Sequence, residues 1–190
     1  KSQKIFIMKS IYLIITNLIF AFNIYAQIDI TSGGSGVAVP GQSFNETRGT
    51  EVKANENITI HSVSLHHFNT GRDSAFVGLR IYDSATGSII HTQDRVIGAG
   101  NDVSVSFSTA FDFQQSKSYR ISFYAYGFGN NNSSGSFTGY KPTFPYTESE
   151  GMLLVNGAYS LGADAFPINT NLFTPYFEMK YTKLSTPPSP

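Results

Sequence analysis

The chain has 190 residues and no cysteine, and its 13 basic and 13 acidic residues give a formal net charge of zero. The absence of cysteine excludes disulfides, thiolate metal sites, a thiol nucleophile and a lipoprotein anchor. No basic stripe is present, which argues against nucleic acid and anionic membrane surfaces as partners. The chain is rich in aromatic residues, with 16 Phe and 11 Tyr but no Trp, a composition typical of an exported all-β domain.

The chain begins with the pattern of an export signal. An apolar run over residues 11–25 follows a positive flank at Lys9 and ends at the small residue Ala26. This order predicts a secretory signal peptide over residues 1–26, and therefore a secreted or cell-surface protein. The alternative is a membrane anchor, but a spanning helix needs about 20 predominantly apolar residues and this run is shorter. We therefore expect no membrane span after removal of the signal.

The predicted domain is bounded by the signal and by a proline-rich tail. Met8 is a natural start, which makes residues 1–7 a candidate for sequence upstream of translation. The domain itself is predicted over residues 27–183, and loss of the three lysines of the signal leaves it 10 basic and 13 acidic residues, a net charge of −3. Residues 184–190 are typical of an extended linker, so either further domains follow or the protein ends there.

Short strand-like segments recur along this domain, separated by Gly, Asn, Asp and Ser. The clearest are residues 75–83 and 118–126, where apolar and polar side chains alternate with period two. We see no sustained helical periodicity. Further strands are predicted at residues 51–54, 57–65, 88–96, 103–107 and 176–182. The pattern predicts an all-β fold, an antiparallel two-sheet β-sandwich that is jelly-roll-like.

The predicted strand over residues 57–65 changes phase near its middle. Its apolar side chains share one face at Ile58 and Ile60 and the opposite face at Val63 and Leu65. The switch predicts either a β-bulge or a strand that passes from one sheet to the other.

No residue pattern indicates catalysis. Glycosidases need two carboxyl groups flanking the bond that is cleaved. Glu148 and Glu150 lie close in sequence, but a solvated acidic turn explains them better. His66 and His67 face opposite ways in a regular strand, and the glycine-rich segments are turn material rather than a nucleophile elbow. We therefore expect a protein that is not an enzyme.

A structural Ca²⁺ is the one cofactor for which the sequence offers candidate ligands. Sandwich domains hold Ca²⁺ through carbonyl groups and Asp or Asn side chains at strand ends. The residues of this kind are Asp29, Asp73, Asp83, Asn101 and Asp102. Their spacing matches no calcium-loop motif, so the metal ligands stay unknown and no other cofactor is expected.

Residues 127–151 break the strand rhythm and resemble a long loop rich in Gly, Asn and aromatic residues. Loops of this length in a compact domain are usually functional or mobile. Aromatic rings stack on the apolar faces of sugars, and Asn amides both donate and accept hydrogen bonds. The alternative is that the loop buries its rings against the sheet. The predicted glycan-binding residues are Tyr124, Tyr126, Asn130, Asn131, Asn132, Tyr140 and Tyr146.

Three segments together carry a family resemblance. They read VGLRIYDSATGSII at residues 77–90, VSVSF at 103–107 and KSYRISF at 117–123. This order resembles uncharacterised jelly-roll-like β-sandwich modules of secreted proteins from Bacteroidetes-type bacteria, which often accompany carbohydrate-active or adhesive domains. The resemblance implies a binding or adhesion module for carbohydrate or a surface polymer. It transfers no binding residue, because its motifs are core positions and turns. The alternative is a structural spacer or subunit domain of a larger cell-surface protein.

Overall fold

The computed structural model describes residues 26–29, 37–43, 47–70, 74–127, 136–161, 165–171 and 173–184. Within these ranges the regular structure is entirely β. The strands are β1 Ala26–Asp29, β2 Val37–Ser43, β3 Thr47–Ala54, β4 Ile58–Asn69, β5 Ala75–Asp83, β6 Ile89–Ile97, β7 Val103–Phe113, β8 Ser118–Gly127, β9 Ser136–Lys141, β10 Tyr146–Thr147, β11 Leu153–Leu161, β12 Asn169–Asn171, β13 Thr174–Pro175 and β14 Phe177–Lys183. No helix in this part of the chain is long and apolar enough to cross a membrane.

The strands form two seven-stranded sheets, and the pairings between described strands are antiparallel. Sheet 1 has the order β1-β14-β4-β9-β13, with β2 paired to β9 and β7 to β4. Sheet 2 has the order β10-β11-β3-β8-β5-β6, with β12 paired to β11. The chain crosses between the sheets from β3 to β4 to β5 and again from β6 to β7 to β8. The predicted all-β, antiparallel two-sheet sandwich is confirmed.

Aromatic side chains join the two sheets through one core. Phe123 of sheet 2 lies 6.3 Å from Phe107 and 5.3 Å from Phe177, both of sheet 1, measured between ring centroids. Phe113 of sheet 1 stacks on Tyr119 of sheet 2 at 4.0 Å. Phe107, Tyr119, Phe123 and Phe177 occupy inward positions that the period-two pattern of the sequence predicts, whereas Phe113 lies beyond the predicted strand 103–107.

The phase change in β4 is a bulge within one sheet. Ile58, Ile60, Val63 and Leu65 are all fully buried in the same core. The pairing of β4 with β7 and with β14 shifts register just after Ile60, so one extra residue is accommodated there. Both apolar pairs therefore point inward, and the alternative of a strand that changes sheets is wrong.

The interpretation of residues 127–151 as an irregular loop is wrong for their second half, which contains β9 and β10. β9 is short, and its inward positions are a phenylalanine and a glycine, so its alternation is weak in the sequence. β11 was not predicted at all. A bulge between Val155 and Gly157 interrupts the alternation of β11 and hides it from a pattern search.

Candidate functional site

Tyr124 is one of the predicted glycan-binding residues, and the structure buries its ring. Its neighbours Phe123 and Ala125 point into the core, so Tyr124 lies on the outer face of sheet 2, yet only 5% of it is exposed. A guanidinium N–H of Arg80 donates to its hydroxyl at 2.6 Å, and the hydroxyl donates to Asp94 at 3.3 Å. The ring is therefore part of a buried polar network and cannot stack on a ligand.

The other predicted glycan-binding residues are dispersed. Tyr140 lies on β9 and faces outward from sheet 1, because the buried positions of this strand are Phe137 and Gly139, which alternate with Thr138 and Tyr140. Tyr146 is packed against the core and stacks on Phe144 at 5.9 Å. Tyr140 and Tyr124 thus belong to opposite faces of the sandwich. The remaining predictions lie outside the described side chains: Tyr126, for which only the backbone is described, and Asn130, Asn131 and Asn132.

A second bulge in β4 brings two histidines to the outer face of sheet 1. The pairing of β4 with β7 shifts between Leu65 and Phe68, which are both fully buried. His66 and His67 lie between them, with ring centroids 6.4 Å apart. His67 has a φ of 54°, a left-handed conformation that is uncommon for a residue other than glycine. The prediction that these histidines face opposite ways is wrong, because it assumed an unbroken alternation.

The two histidines are part of an aromatic cluster that is built around Tyr176. The Tyr176 ring lies 5.2 Å from each imidazole, nearly parallel to that of His67, and 5.4 Å from the Tyr140 ring. We call these four residues, His66, His67, Tyr140 and Tyr176, the histidine–tyrosine patch. All four are half-buried, so their rings are fixed by contacts and still reach solvent.

Polar groups hold the His66 side of the patch. His66 Nδ1 lies 2.8 Å from Ser104 Oγ, and its Nε2 lies 3.2 Å from a carboxylate oxygen of Glu178. The Tyr176 hydroxyl donates to the other oxygen of Glu178 at 3.3 Å. These contacts run across β14, β4 and β7, and they fix the orientation of the imidazole and of the tyrosine ring.

The His67 side of the patch opens into a depression. His67 Nδ1 lies 2.7 Å from a carboxylate oxygen of Asp102, which itself has a left-handed φ of 56°. The depression has a volume of about 390 Å³. Amide and hydroxyl groups dominate its lining, which consists of His67, Asn69, Asn101, Asp102, Ser136, Phe137 and Thr138. Such a lining can donate and accept hydrogen bonds around a hydroxylated ligand.

The row Ser104, His66 and Glu178 contains the residue types of a hydrolytic triad. A hydrolase of this kind also needs N–H donors aimed at the developing oxyanion. The backbone N–H of His66 is already used, since it donates to the Tyr176 carbonyl at 2.9 Å. The contacts of this row account for the orientation of the half-buried imidazole of His66.

Within the described ranges, no three His, Asp or Glu side chains converge on a site that could hold a metal ion. Asp83 instead accepts hydrogen bonds from the backbone N–H groups of the following turn. Asp102 is bonded to His67, and Asn101 lines the depression beside it. Asp73 and the side chain of Asp29 lie outside the described residues.

The outer face of sheet 2 is closed by a second polar network around Arg120. Its guanidinium lies 3.8 Å from the Tyr159 ring centre and 4.6 Å from that of Phe166, and it forms a 2.5 Å ion pair with Glu51. It also donates to the carbonyl of Pro167. The segment 165–168 therefore covers this part of the sheet, and Arg120 is buried.

Sequence reasoning missed Tyr176, and it did not connect the histidines with Tyr140. The available signal was the spacing of Leu65 and Phe68. Two large apolar residues three apart at the end of an alternating strand, with His-His between them, indicate a bulge that turns both histidines outward.

No family model and no curated protein matches the sequence. Among solved structures, the chain is similar to a viral particle of infectious bursal disease virus at 12% identity and a TM-score of 0.36, covering 86% of this chain and 36% of that one. A structure of the Gx strain of the virus has 15% sequence identity and a TM-score of 0.37, and the match covers 86% of this chain and 37% of that one. The VP2 subviral particle has 13% sequence identity and a TM-score of 0.32, and the match covers 86% of this chain and 42% of that one. The chain thus spans well under half the length of these capsid chains, and similarity at this level has no bearing on its function.

Proposed function

We propose that this protein is an exported, non-catalytic module that binds carbohydrate or a related surface polymer through the histidine–tyrosine patch. The observation that carries the proposal is the bulge at residues 65–68. Because of it, two imidazoles and two tyrosine rings meet beside a depression lined with amide and hydroxyl groups. Half-buried rings next to convergent polar groups are the combination that sugar recognition requires.

The backbone beside the depression supports a role in binding. His67 and Asp102 both have left-handed φ angles, and their side chains are hydrogen-bonded to each other. For a residue other than glycine this conformation costs about 1–2 kcal/mol. Strained backbone residues cluster at functional sites, where the geometry of a ligand-binding surface repays their cost.

The networks on sheet 2 favour a second candidate function for the opposite side of the molecule. Two arginines, Arg80 and Arg120, are buried there and form ion pairs with Asp94 and Glu51, and the segment 165–168 covers part of the face. A covered face of this kind suits a structural spacer. The proposal therefore places ligand binding on sheet 1 and leaves sheet 2 as a scaffold.

The test is binding of the exported protein to a broad panel of soluble and insoluble polysaccharides. We expect saturable binding to at least one of them, weakened roughly tenfold by Tyr140→Ala and by Tyr176→Ala, because a ring contact contributes about 1 kcal/mol or more. Tyr146→Ala is the matched control, since it removes a half-buried tyrosine of sheet 2, outside the patch, and should leave the affinity unchanged.

Thermal melting of each variant separates a lost ligand contact from a lost fold. Binding that survives both patch substitutions in folded protein would contradict the proposed site. The absence of binding across the panel would instead favour the structural spacer.

A further inference from the structure

Strand β6 is an exposed edge of sheet 2. It stands last in the strand order, and β5 is its one partner among the described residues. Its far side therefore presents backbone N–H and C=O groups that another strand can pair with. An edge of nine residues is long for a globular protein, where edges are usually short or interrupted.

The exposed apolar side chains of β6 favour association at this edge. Of the five large hydrophobic residues that are exposed in the described ranges, three lie on β6: Ile89 at 54%, Ile90 at 44% and Val96 at 63%. The strand has no proline. Its single acidic residue, Asp94, forms an ion pair with Arg80 of β5 at 2.7 Å, so it is not free to repel a neighbouring strand.

The sequence of β6 is self-complementary about its central residue, Gln93. It reads Ile-Ile-His-Thr-Gln-Asp-Arg-Val-Ile, with two apolar residues at each end. In an antiparallel pairing about a two-fold axis at Gln93, Ile90 of one copy faces Val96 of the other, and both side chains are exposed. Apolar cross-strand pairs of this kind stabilise a sheet by roughly 0.2–1 kcal/mol each.

The polar centre of β6 is compatible with the same register. Asp94 faces Thr92 of the second copy, so no two acidic side chains are opposed. Arg95 faces His91, whose ring is turned into its own subunit and stacks on Phe111 at 5.5 Å. The bulge in the β5–β6 pairing lies at Ile90 and leaves residues 91–97 regular. Because of it, Ile89 points outward while Ile97 packs against the core, so these two residues add no cross-strand pair.

We propose that β6 pairs with β6 of a second copy of this chain in antiparallel register, joining two copies of sheet 2 into one continuous sheet. The contact consists of one strand from each subunit, which is smaller than the roughly 1,200–2,000 Å² buried in stable complexes. The dimer is therefore reversible and concentration-dependent. It leaves the outer face of sheet 1 free on both subunits.

Sedimentation analysis over a range of protein concentrations tests the association. We expect a monomer–dimer equilibrium that Val96→Lys and Ile90→Lys each weaken at least tenfold. The matched control is Ile168→Lys, which places the same charge at another exposed isoleucine outside β6 and should not change the equilibrium. A chain that stays monomeric at the highest soluble concentration would overturn the proposal, as would a dimer that is insensitive to both β6 substitutions.

Cysteine crosslinking tests the register, and the native chain contributes no thiol of its own. Residues at the two-fold axis lie about 4.5–5.5 Å apart between Cα atoms, within the range of a disulfide. Gln93→Cys should therefore form disulfide-linked dimers readily on mild oxidation. Ile89→Cys should not, because its two copies would be about 27 Å apart along the strands. Equal crosslinking of the two variants would overturn the proposed pairing.

Discussion

At the scale of single residues, Gly78 is required by the ring that lies over it. A Cβ at this position would lie 2.0 Å from Tyr124 Cε1 and 2.8 Å from an Asp94 oxygen. We predict that Gly78→Ala displaces the ring, disrupts its hydrogen bonds with Arg80 and lowers the free energy of unfolding by about 1–3 kcal/mol, as overpacking does. Chemical denaturation measures the change.

The control for Gly78 is Gly98→Ala. A Cβ on Gly98 would meet no atom within 4 Å, so this substitution should be nearly neutral. If the two substitutions cost the same, the close packing of Tyr124 on Gly78 would be contradicted.

His91 makes stability depend on pH. Burial lowers the pKa of His91 below its ordinary value, and its Nε2 is enclosed without a hydrogen-bond partner. The unfolded chain therefore takes up the proton first as the pH falls through about 6.5. The stability associated with His91 is complete above that pH and is lost as the pH falls toward the lower pKa of the folded state.

We predict that His91→Gln flattens the decrease of the melting temperature between neutral and mildly acidic pH. Glutamine keeps a polar side chain of similar reach but does not titrate in this range. Thermal melts of both proteins across this interval provide the comparison. An unchanged slope in the variant would show that other groups cause the acid sensitivity.

At the scale of elements, Glu148 organises the turn from β10 to β11. Only 2% of it is exposed, and its carboxylate accepts backbone N–H groups from Glu150 at 2.6 Å, from Leu153 at 2.9 Å and from Met152. The expectation of a solvated acidic turn is therefore wrong for Glu148, because the turn closes around its side chain. The neighbouring Glu150 is exposed.

We predict that Glu148→Ala lowers the free energy of unfolding by about 1–3 kcal/mol or more, since it leaves buried backbone donors without their acceptor. The matched control is Glu150→Ala, two residues away, which should change stability by less than about 0.5 kcal/mol. Urea denaturation of both variants distinguishes the two positions. Equal effects would mean that the carboxylate of Glu148 does not hold the turn.

Strands with regular alternation and the first bulge of β4 could be predicted from the sequence, whereas the second bulge of β4 and the bulge of β11 could not. The predicted bounds of β5 coincide with the observed strand, because nothing interrupts its period of two. Bulges in β4 and β11 each shift the alternation by one residue. At Leu65–Phe68 this shift decides which side chains face solvent. The candidate site therefore depends on a bulge that period-two alternation does not predict.

At the scale of the whole molecule, the sandwich is held by one core without disulfides. Phe123 is fully buried at its centre and contacts aromatic rings of the opposite sheet. We predict that Phe123→Ala costs about 3–5 kcal/mol, as large-to-small substitutions in a core do. Ile168→Ala, at an exposed apolar residue, should cost less than about 0.5 kcal/mol. A loss well below 3 kcal/mol for Phe123→Ala would contradict the central place of β8.

The composition and alternation of the chain predicted the class of the whole molecule, but not the position of its site. Tyr140 was identified from its aromatic character, whereas Tyr176, which directly precedes β14, and the two histidines of β4 come from segments distant in sequence. They meet because β14, β4 and β9 are neighbours in sheet 1. Such long-range pairing leaves no local mark in a single sequence.

The measurement that tests the central claim most directly is an NMR titration of the ¹⁵N-labelled protein with the polysaccharide fragment that binds best in the panel. We predict that the largest shift changes occur at backbone amides of residues 66–69, 101–104, 136–140 and 176–178, which surround the histidine–tyrosine patch and its depression. Shift changes centred on sheet 2, or none with any fragment, would contradict carbohydrate recognition at this site.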